Sequence, residues 1–339
     1  MVRRPTLVLW CTIGAMIYIT GGFLAHGQDH VKDTPSFCDL PQGIASFGAA
    51  RLGESVYVYS GHVGKTHVYS VDSMSKGFYR CSLNQGGAWE RLPMARPAQG
   101  VSLVATDRFL YRIGGMHAVN ESDEPHDLLS LSEVQEFDPE RRLWRQLPDL
   151  PEPRSSHRSA ILDKHIFVFG GWSLYGGEDG IWLNHGLVID LVNESASWMT
   201  VDQPVSRRAL EVIAFRGRIW LIGGLTPGNE ISAQIHVFDP LMKTWSTGPD
   251  VPGMLANGNG IAAAEVCGTL VLAGMDGRVY RLSENQSEWL DAGRLPSSRI
   301  HHRLIGDDDR LLVIAGAAQN GHLKSTEFVK LAPWNSGNE

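Results

Sequence analysis

The stretch IFVFGG, Ile166 to Gly171, sets four bulky apolar residues before two glycines. Four consecutive β-branched or aromatic residues read as a strand buried on both faces. Paired glycines supply backbone angles and close approaches that a residue with a Cβ resists. One such site marks a turn, whereas a series marks an architecture.

The series is there. FLYRIGG ends at Gly115, RIWLIGG at Gly224, TLVLAG at Gly274 and RLLVIAG at Gly316, and a degenerate SVYVYSG ends at Gly61. Across these six copies the second glycine advances by 54, 56, 53, 50 and 42 residues. The pairs are complete at Gly114-Gly115, Gly170-Gly171 and Gly223-Gly224, while Ser60, Ala273 and Ala315 replace the first glycine elsewhere. An apolar run precedes each copy, and a third strand such as VQEFDP or IHVFDP follows it. Trp89, Trp144, Trp198, Trp245 and Trp289 come after five of these third strands, and proline turns lead into the next unit.

Four short strands per unit, with glycine pairs and one tryptophan, make the pattern of a β-propeller blade. On these motifs the sequence resembles the kelch-repeat family over nearly all of the chain after residue 36. The resemblance implies an all-β, six-bladed propeller with four antiparallel strands per blade. It says little about activity. The last unit, STEFVKLAPW, lacks a fourth strand, and SFCDLP near the start aligns with the WERLP of the first unit. Residues 36–40 are therefore expected to supply the outer strand of the last blade and close the ring without exposed edges. The propeller would occupy residues 36–334, with a linker at 28–35, a tail at 335–339, and Trp334 as a chance echo of the motif.

Residues 1–27 read differently. Arg3 and Arg4 precede an apolar run from Leu7 to Ala25, with small residues at Ala25 and Gly27. This is the pattern of an export signal, and the run is also long enough to anchor in a bilayer if it is not cleaved. Either way the propeller is expected outside the cytoplasm, periplasmic or secreted, because the arginines stay inside. A membrane contact is expected only through this segment. Net charge is −7 and no basic block follows residue 36, which argues against nucleic acid as a partner. After cleavage Cys38, Cys81 and Cys267 remain, an odd count read as three small buried hydrophobes. Asn120, Asn193 and Asn285 match the glycosylation sequon, a weak signal that depends on the host.

Binding residues are expected on the face that carries the loops between second and third strands. Those loops are long in the first three units (His62 to Gly77, Met116 to Ser132, Trp172 to Gly186) and shrink to Met275-Asp276-Gly277 in the fifth. A rim raised on one side suits a binding site. His62, His117, His126, His157, His185, His301, His302 and His322 lie in or near these loops, and acids gather at Glu121, Asp123, Glu124, Asp127, Glu178 and Asp179. Arg96, Arg154, Arg207, Arg208 and Arg299 recur after the proline turns. Their guanidinium forks favour carboxylate or phosphate groups, although the kelch pattern itself tends to place an arginine there. Trp172 and Met275 directly follow glycine positions, and Trp172 would suit the face of a sugar. The expected ligand-binding set is thus Arg96, Arg154, Arg207, Arg208, Arg299, His62, His117, Trp172, Met275 and His302.

No close metal-ligand pair, cofactor motif or nucleophile elbow occurs, so neither metal nor cofactor is expected. Three function classes stay open. The first is an exported binding module for a glycan or protein partner. The second is a sugar epimerase or mutarotase, by distant fold-level similarity to exported bacterial kelch proteins that interconvert sialic acid anomers. In that case His157, His301 or Glu178 would supply acid/base help. The third is a structural protein that uses its outer rim.

Overall fold

The structure is a computed structural model that describes residues 36–333 apart from Glu178 and Glu194. The expectations placed on residues 1–35, Glu178, Trp334 and the tail lie outside the described residues. Six antiparallel sheets follow one another along the described chain; the first five have four strands and the sixth has three. In sheet 1 the strands Gly48–Leu52, Ser55–Tyr59, Phe78–Ser82 and Gly86–Arg91 run in chain order from inside to outside. The innermost strands of sheets 2 to 6 are Ser102–Ala105, Arg158–Leu162, Glu211–Phe215, Ala262–Val266 and Arg303–Asp307. Each contacts the next, and the sixth returns to the first. This is the all-β propeller expected from the repeats.

The second strand of each sheet is its most buried element, as the IFVFGG reading required. Ile166, Val168 and Phe169 have no exposed surface. The hydrophobic clusters form between sheets; one joins Tyr57, Tyr59 and Phe78 of sheet 1 to Val101, Leu103, Leu110 and Phe137 of sheet 2. The glycine pairs fasten these neighbours together. Gly171 adopts φ 90°, and a Cβ there would stand 2.6 Å from the Ser155 carbonyl oxygen. Its N–H donates to the Arg207 carbonyl, on the loop that enters the next sheet, at 2.7 Å. Gly61, Gly115, Gly224 and Gly316 donate in the same way to Ala98, Arg154, Gly258 and Ile44. The tryptophans make the reverse connection. The indoles of Trp144, Trp198, Trp245 and Trp289 donate at 2.9 Å to Pro93, Pro148, Asp202 and Pro249, carbonyls at the outer end of the preceding sheet.

Two expectations need correction. Residues 36–40 do not add a fourth strand to sheet 6. Phe37 forms a parallel bridge with Gly87 on the edge of sheet 1, and Cys38 N–H donates to the Gly87 carbonyl at 2.9 Å. Toward sheet 6 it gives one backbone bond among the described residues, Leu40 N–H to Lys324 at 2.8 Å, beside the Asp39–Lys324 ion pair at 3.3 Å and the Phe37–Phe328 ring contact at 5.5 Å. The segment is drawn to sheet 1 because the adjacent glycines Gly86 and Gly87, both at positive φ, leave their backbone groups bare of side chains. It still does one job of an outer strand, since the Cys38 carbonyl accepts the Trp89 indole N–H at 3.0 Å. The cysteines also differ from expectation. Cys81 is buried, but Cys38 and Cys267 are exposed, and all three are free thiols. Of the sequon asparagines, Asn120 is buried, with its amide donating to Tyr69 and Glu121 and its oxygen accepting from Asp127.

Candidate functional site at the channel mouth

A collar of backbone hydrogen bonds lies at the loop face. Two residues before each innermost strand, the chain takes positive φ at Ser46, Gly100, Ser156, Ala209, Gly260 and His301, between 53° and 60°. These six form one cycle of backbone hydrogen bonds. Gly100 donates to Ser46, Ser156 to Gly100, Ala209 to Ser156, Gly260 to Ala209, His301 to Gly260, and Ser46 to His301, over 2.7 to 3.3 Å. The left-handed angle turns each N–H and carbonyl along the ring, and small residues meet it at least cost. Five collar positions carry Ser, Gly, Ser, Ala and Gly. His301 is the exception, and its ring lies across Gly260, where a Cβ would come within 2.6 Å of Nδ1.

Above the collar the long loops build a wall. In sheet 2 the loop forms strands Met116–Ala118 and Leu128–Ser130, joined by Tyr175–Gly176 of the sheet 3 loop into a small sheet of its own. Trp172–Ser173 pairs with Ile181–Trp182. The sheet 1 loop is tied in through Val71 N–H to Asn120, at 3.0 Å. Sheet 6 adds to the wall, contrary to its short loop in sequence. Its last two strands, Arg310–Ala318 and Gly321–Val329, run to nine residues each and stand up as a hairpin. The low side is sheet 5, where Met254, Leu255 and Met275 are exposed.

Two groups of side chains line the mouth. In the first, the Arg208 guanidinium lies over Trp172 at 4.2 Å and near Trp182 at 5.5 Å, with Nη2 donating to Asn229 Oδ1 at 2.6 Å. The second is a chain of rings: His322 meets His62 at 4.9 Å, His62 meets Tyr69 at 5.3 Å, and Tyr69 meets His126 at 5.1 Å. His62 Nε2 donates to the Val68 carbonyl at 2.9 Å, so its Nδ1 is left to accept from His322 Nε2 at 3.4 Å. His301 stands between the groups. Burial, followed by the charges of Arg158 and Arg208, pushes its pKa down to about 4. Burial and then His62 take His322 down to about 4. Burial raises Tyr69, against the pull of Arg208. The mouth therefore holds a fixed cation beside the imidazoles of His301 and His322, which are neutral at physiological pH.

The other expected site residues are deployed elsewhere. Arg154, Arg207 and Arg299 are almost fully buried, and each reaches 16 residues along the chain to a carbonyl of its own sheet, directly after the second strand for Arg154 and Arg207 and within it for Arg299. Arg154 donates to Gly170 at 3.2 Å and His185 at 3.1 Å; Arg207 donates to Gly223 at 2.8 Å and Gln234 at 2.7 Å. Arg299 donates to Ala315 at 3.2 Å. Their recurrence is a device of the fold, which leaves Arg208 as the arginine of the five that reaches the mouth. Arg96 is exposed and pairs with Glu133 at 3.3 Å, beside His117 and Arg112. His157 and His302 have no exposed surface. Both precede an inward-facing arginine, and alternation along a strand turns them into the interface between sheets. Burial and nearby arginines hold His157 well below its ordinary pKa and take His302 down to about 3. Neither is placed for acid/base work in the mouth. Met275 is on the low side, and one face of Trp172 is already covered by Arg208.

Three functional candidates escaped the sequence reading. Directly below the collar the first residues of the innermost strands are Gly48, Ser102, Arg158, Glu211, Ala262 and Arg303. Glu211 Oε2 stands 3.9 Å from both Arg158 and Arg303 in a central cavity of about 280 Å3. The signal was available in the repeat alignment: three charged residues where the other copies have Gly, Ser and Ala.

The model of the KLHDC2/KLHL20/DRC7 Kelch-repeats domain matches residues 46–274. The chain belongs to the kelch-repeat family. Kelch-like protein 35 of Mus musculus is 24% identical over 238 residues, covering 70% of this chain and 34% of that protein. Alpha-scruin of Limulus polyphemus is 26% identical over 40% of this chain and 16% of its own length. Kelch-like protein 33 of Homo sapiens is 34% identical over 37% of this chain and 21% of its own. The chain thus spans about a third or less of these relatives. Among solved structures, that of YjhT superposes with a TM-score of 0.69 at 15% identity, covering 88% of this chain and 99% of the other. That likeness concerns the fold.

Proposed function

We propose that this kelch propeller is a binding module of six blades, closed as a ring by the collar, that takes an anionic glycan at the channel mouth. The observation that carries this reading is Arg208, stacked on Trp172 and Trp182 and bonded to Asn229 beside His301 and Tyr69. A guanidinium held flat on an indole keeps its planar fork in one orientation, and a carboxylate meets such a fork with two hydrogen bonds. The raised wall of sheets 6, 1, 2 and 3 supplies serine, asparagine and histidine groups that suit sugar hydroxyls. The ligand would enter over the low side at sheet 5.

A second reading is favoured by His301. An imidazole held neutral beside fixed cations keeps a lone pair at neutral pH, as the ring opening of a sugar epimerase or mutarotase requires. We place the protein outside the cytoplasm, periplasmic or secreted, on the pattern of residues 1–27. Loss of those residues from the exported protein, read by mass spectrometry, supports that; an intact chain retained in the cytoplasm refutes it.

Calorimetric titration of the protein with sialic acid and with neutral sugars tests the site. Saturable binding of the acidic sugar, lost in Arg208→Ala, is the expected result. Proton NMR of the anomer ratio then separates binding from turnover, which His301→Asn would abolish. Binding that survives Arg208→Ala refutes the site, and absence of binding to every acidic sugar tried shifts the reading to a protein partner.

A further inference from the structure

Beneath the collar, the cavity is lined by all six innermost strands, and its charged groups do not balance. Arg158 enters from sheet 3, Arg303 from sheet 6 and Glu211 from sheet 4, each more than nine-tenths buried. At the same level sheets 1, 2 and 5 offer Gly48, Ser102 and Ala262, none of them charged. The arginines are anchored on one side by backbone carbonyls. Arg158 Nη1 donates to Val101 at 3.1 Å and His157 at 3.2 Å; Arg303 Nε donates to Phe47 at 3.1 Å and Nη1 to His302 at 2.6 Å. The carboxylate stands off at 3.9 Å from each, outside hydrogen-bond range. Arg158 Nε, Arg303 Nη2 and Ser159 Oγ have no protein partner.

Two guanidiniums and one carboxylate leave a net positive charge in a space walled by strands, where an unpaired charge is costly. The donors without partners belong to groups that line that space. We propose that the cavity is a site for a small monovalent anion, a halide or a formate-sized carboxylate, held between Arg158 and Arg303. This site is separate from the mouth and does not depend on what the mouth binds.

Glu211 makes occupancy pH-dependent. Burial pushes its carboxyl up to about 7, against the pull of Arg158. Protonation removes the one negative charge at that level, so the anion binds more tightly in acid. The other titratable groups nearby do not oppose this, because His301 above the cavity is neutral down to about pH 4. At the far end of the innermost strands Asp307 is matched by Arg51 at 3.1 Å and by Arg310.

The test is melting temperature in bromide or formate, against equal ionic strength of gluconate, whose hydroxylated chain would lose its water against the Ala, Val and Leu lining. Saturable stabilisation by the small anions is expected, with affinity weaker by about tenfold at pH 8 than at pH 6. Glu211→Gln should keep the tighter affinity at pH 8, Arg303→Met should abolish the effect, and Arg208→Ala should leave it unchanged. A wild-type crystal soaked in bromide provides a check that needs no variant: an anomalous peak between Arg158 and Arg303 supports the site. No peak there, or bromide and gluconate acting alike, overturns it.

Discussion

Replacing Arg154 with alanine distinguishes a structural arginine from a ligand-binding one. The guanidinium of Arg154 is enclosed and donates to the carbonyls of Gly170 and His185, with Nη2 facing His185 Nε2 at 3.2 Å. Alanine leaves two buried carbonyls without these donors, and each unsatisfied group costs about 1–3 kcal/mol. The missing side chain also opens a void beside Gly171, where an added Cβ would stand 3.1 Å from Arg154 Cγ. An offset exists, because burial lowers the Arg154 pKa to about 10 and keeping that charge inside has its own cost. A net loss of about 3 kcal/mol corresponds to a drop in melting temperature of roughly 5 °C for about 300 folded residues. Arg208→Ala provides the comparison. It gives up a half-buried stack worth about 1 kcal/mol and should lower the melting temperature by no more than about 2 °C. Differential scanning calorimetry of both variants without ligand measures this. An Arg154→Ala protein that melts within about 2 °C of wild type, no further than the expected Arg208 limit, would refute the claim that the recurrent arginines hold up the strand ends.

Two further predictions follow from the geometry. Gly171→Ala combines a positive φ with a clash on the Ser155 carbonyl and is expected to cost at least about 2 kcal/mol, whereas Gly217→Ala, also at positive φ but with open space around it, should cost about 1 kcal/mol in urea unfolding. Equal losses would refute the packing argument. His302, with its pKa taken down from 6.5 to about 3, contributes stability that is complete above pH 6.5 and lost as pH falls toward 3, so His302→Asn should flatten the acid side of the stability profile; an unchanged profile would show that the ring does not titrate on unfolding.

The mouth itself was only half legible in the sequence. Arg154, Arg207, Arg208 and Arg299 look alike along the chain, since each follows a turn and precedes an innermost strand. Their roles diverge because a shift of one residue decides which way the side chain points. Arg207 turns back to Gly223, while Arg208 turns out onto Trp172. His301 and His302 divide in the same way. The first occupies the collar and the second packs in the interface, so adjacent histidines with similar composition have unrelated environments. Sheet 6 misled the reading for another reason. Its short turn hides a tall feature, because the height comes from two long strands and not from loop length.

By itself the sequence determined the repeat, the all-β class and the glycine and tryptophan positions, because each of these is a local demand. A buried strand needs its apolar run, and a close approach needs a residue without a Cβ. It also marked the face on which long loops would gather. Tertiary structure decided what no repeat unit contains. The collar is one bond from each sheet, the Arg158–Glu211–Arg303 group is one residue from each of three sheets, and the Arg208 stack joins the entry to sheet 4 with the loop of sheet 3. Such contacts depend on how the sheets assemble, which brings Ser46 to 3.3 Å from His301 and Glu211 to 3.9 Å from Arg303, and sets the charges in a shared, poorly solvated space.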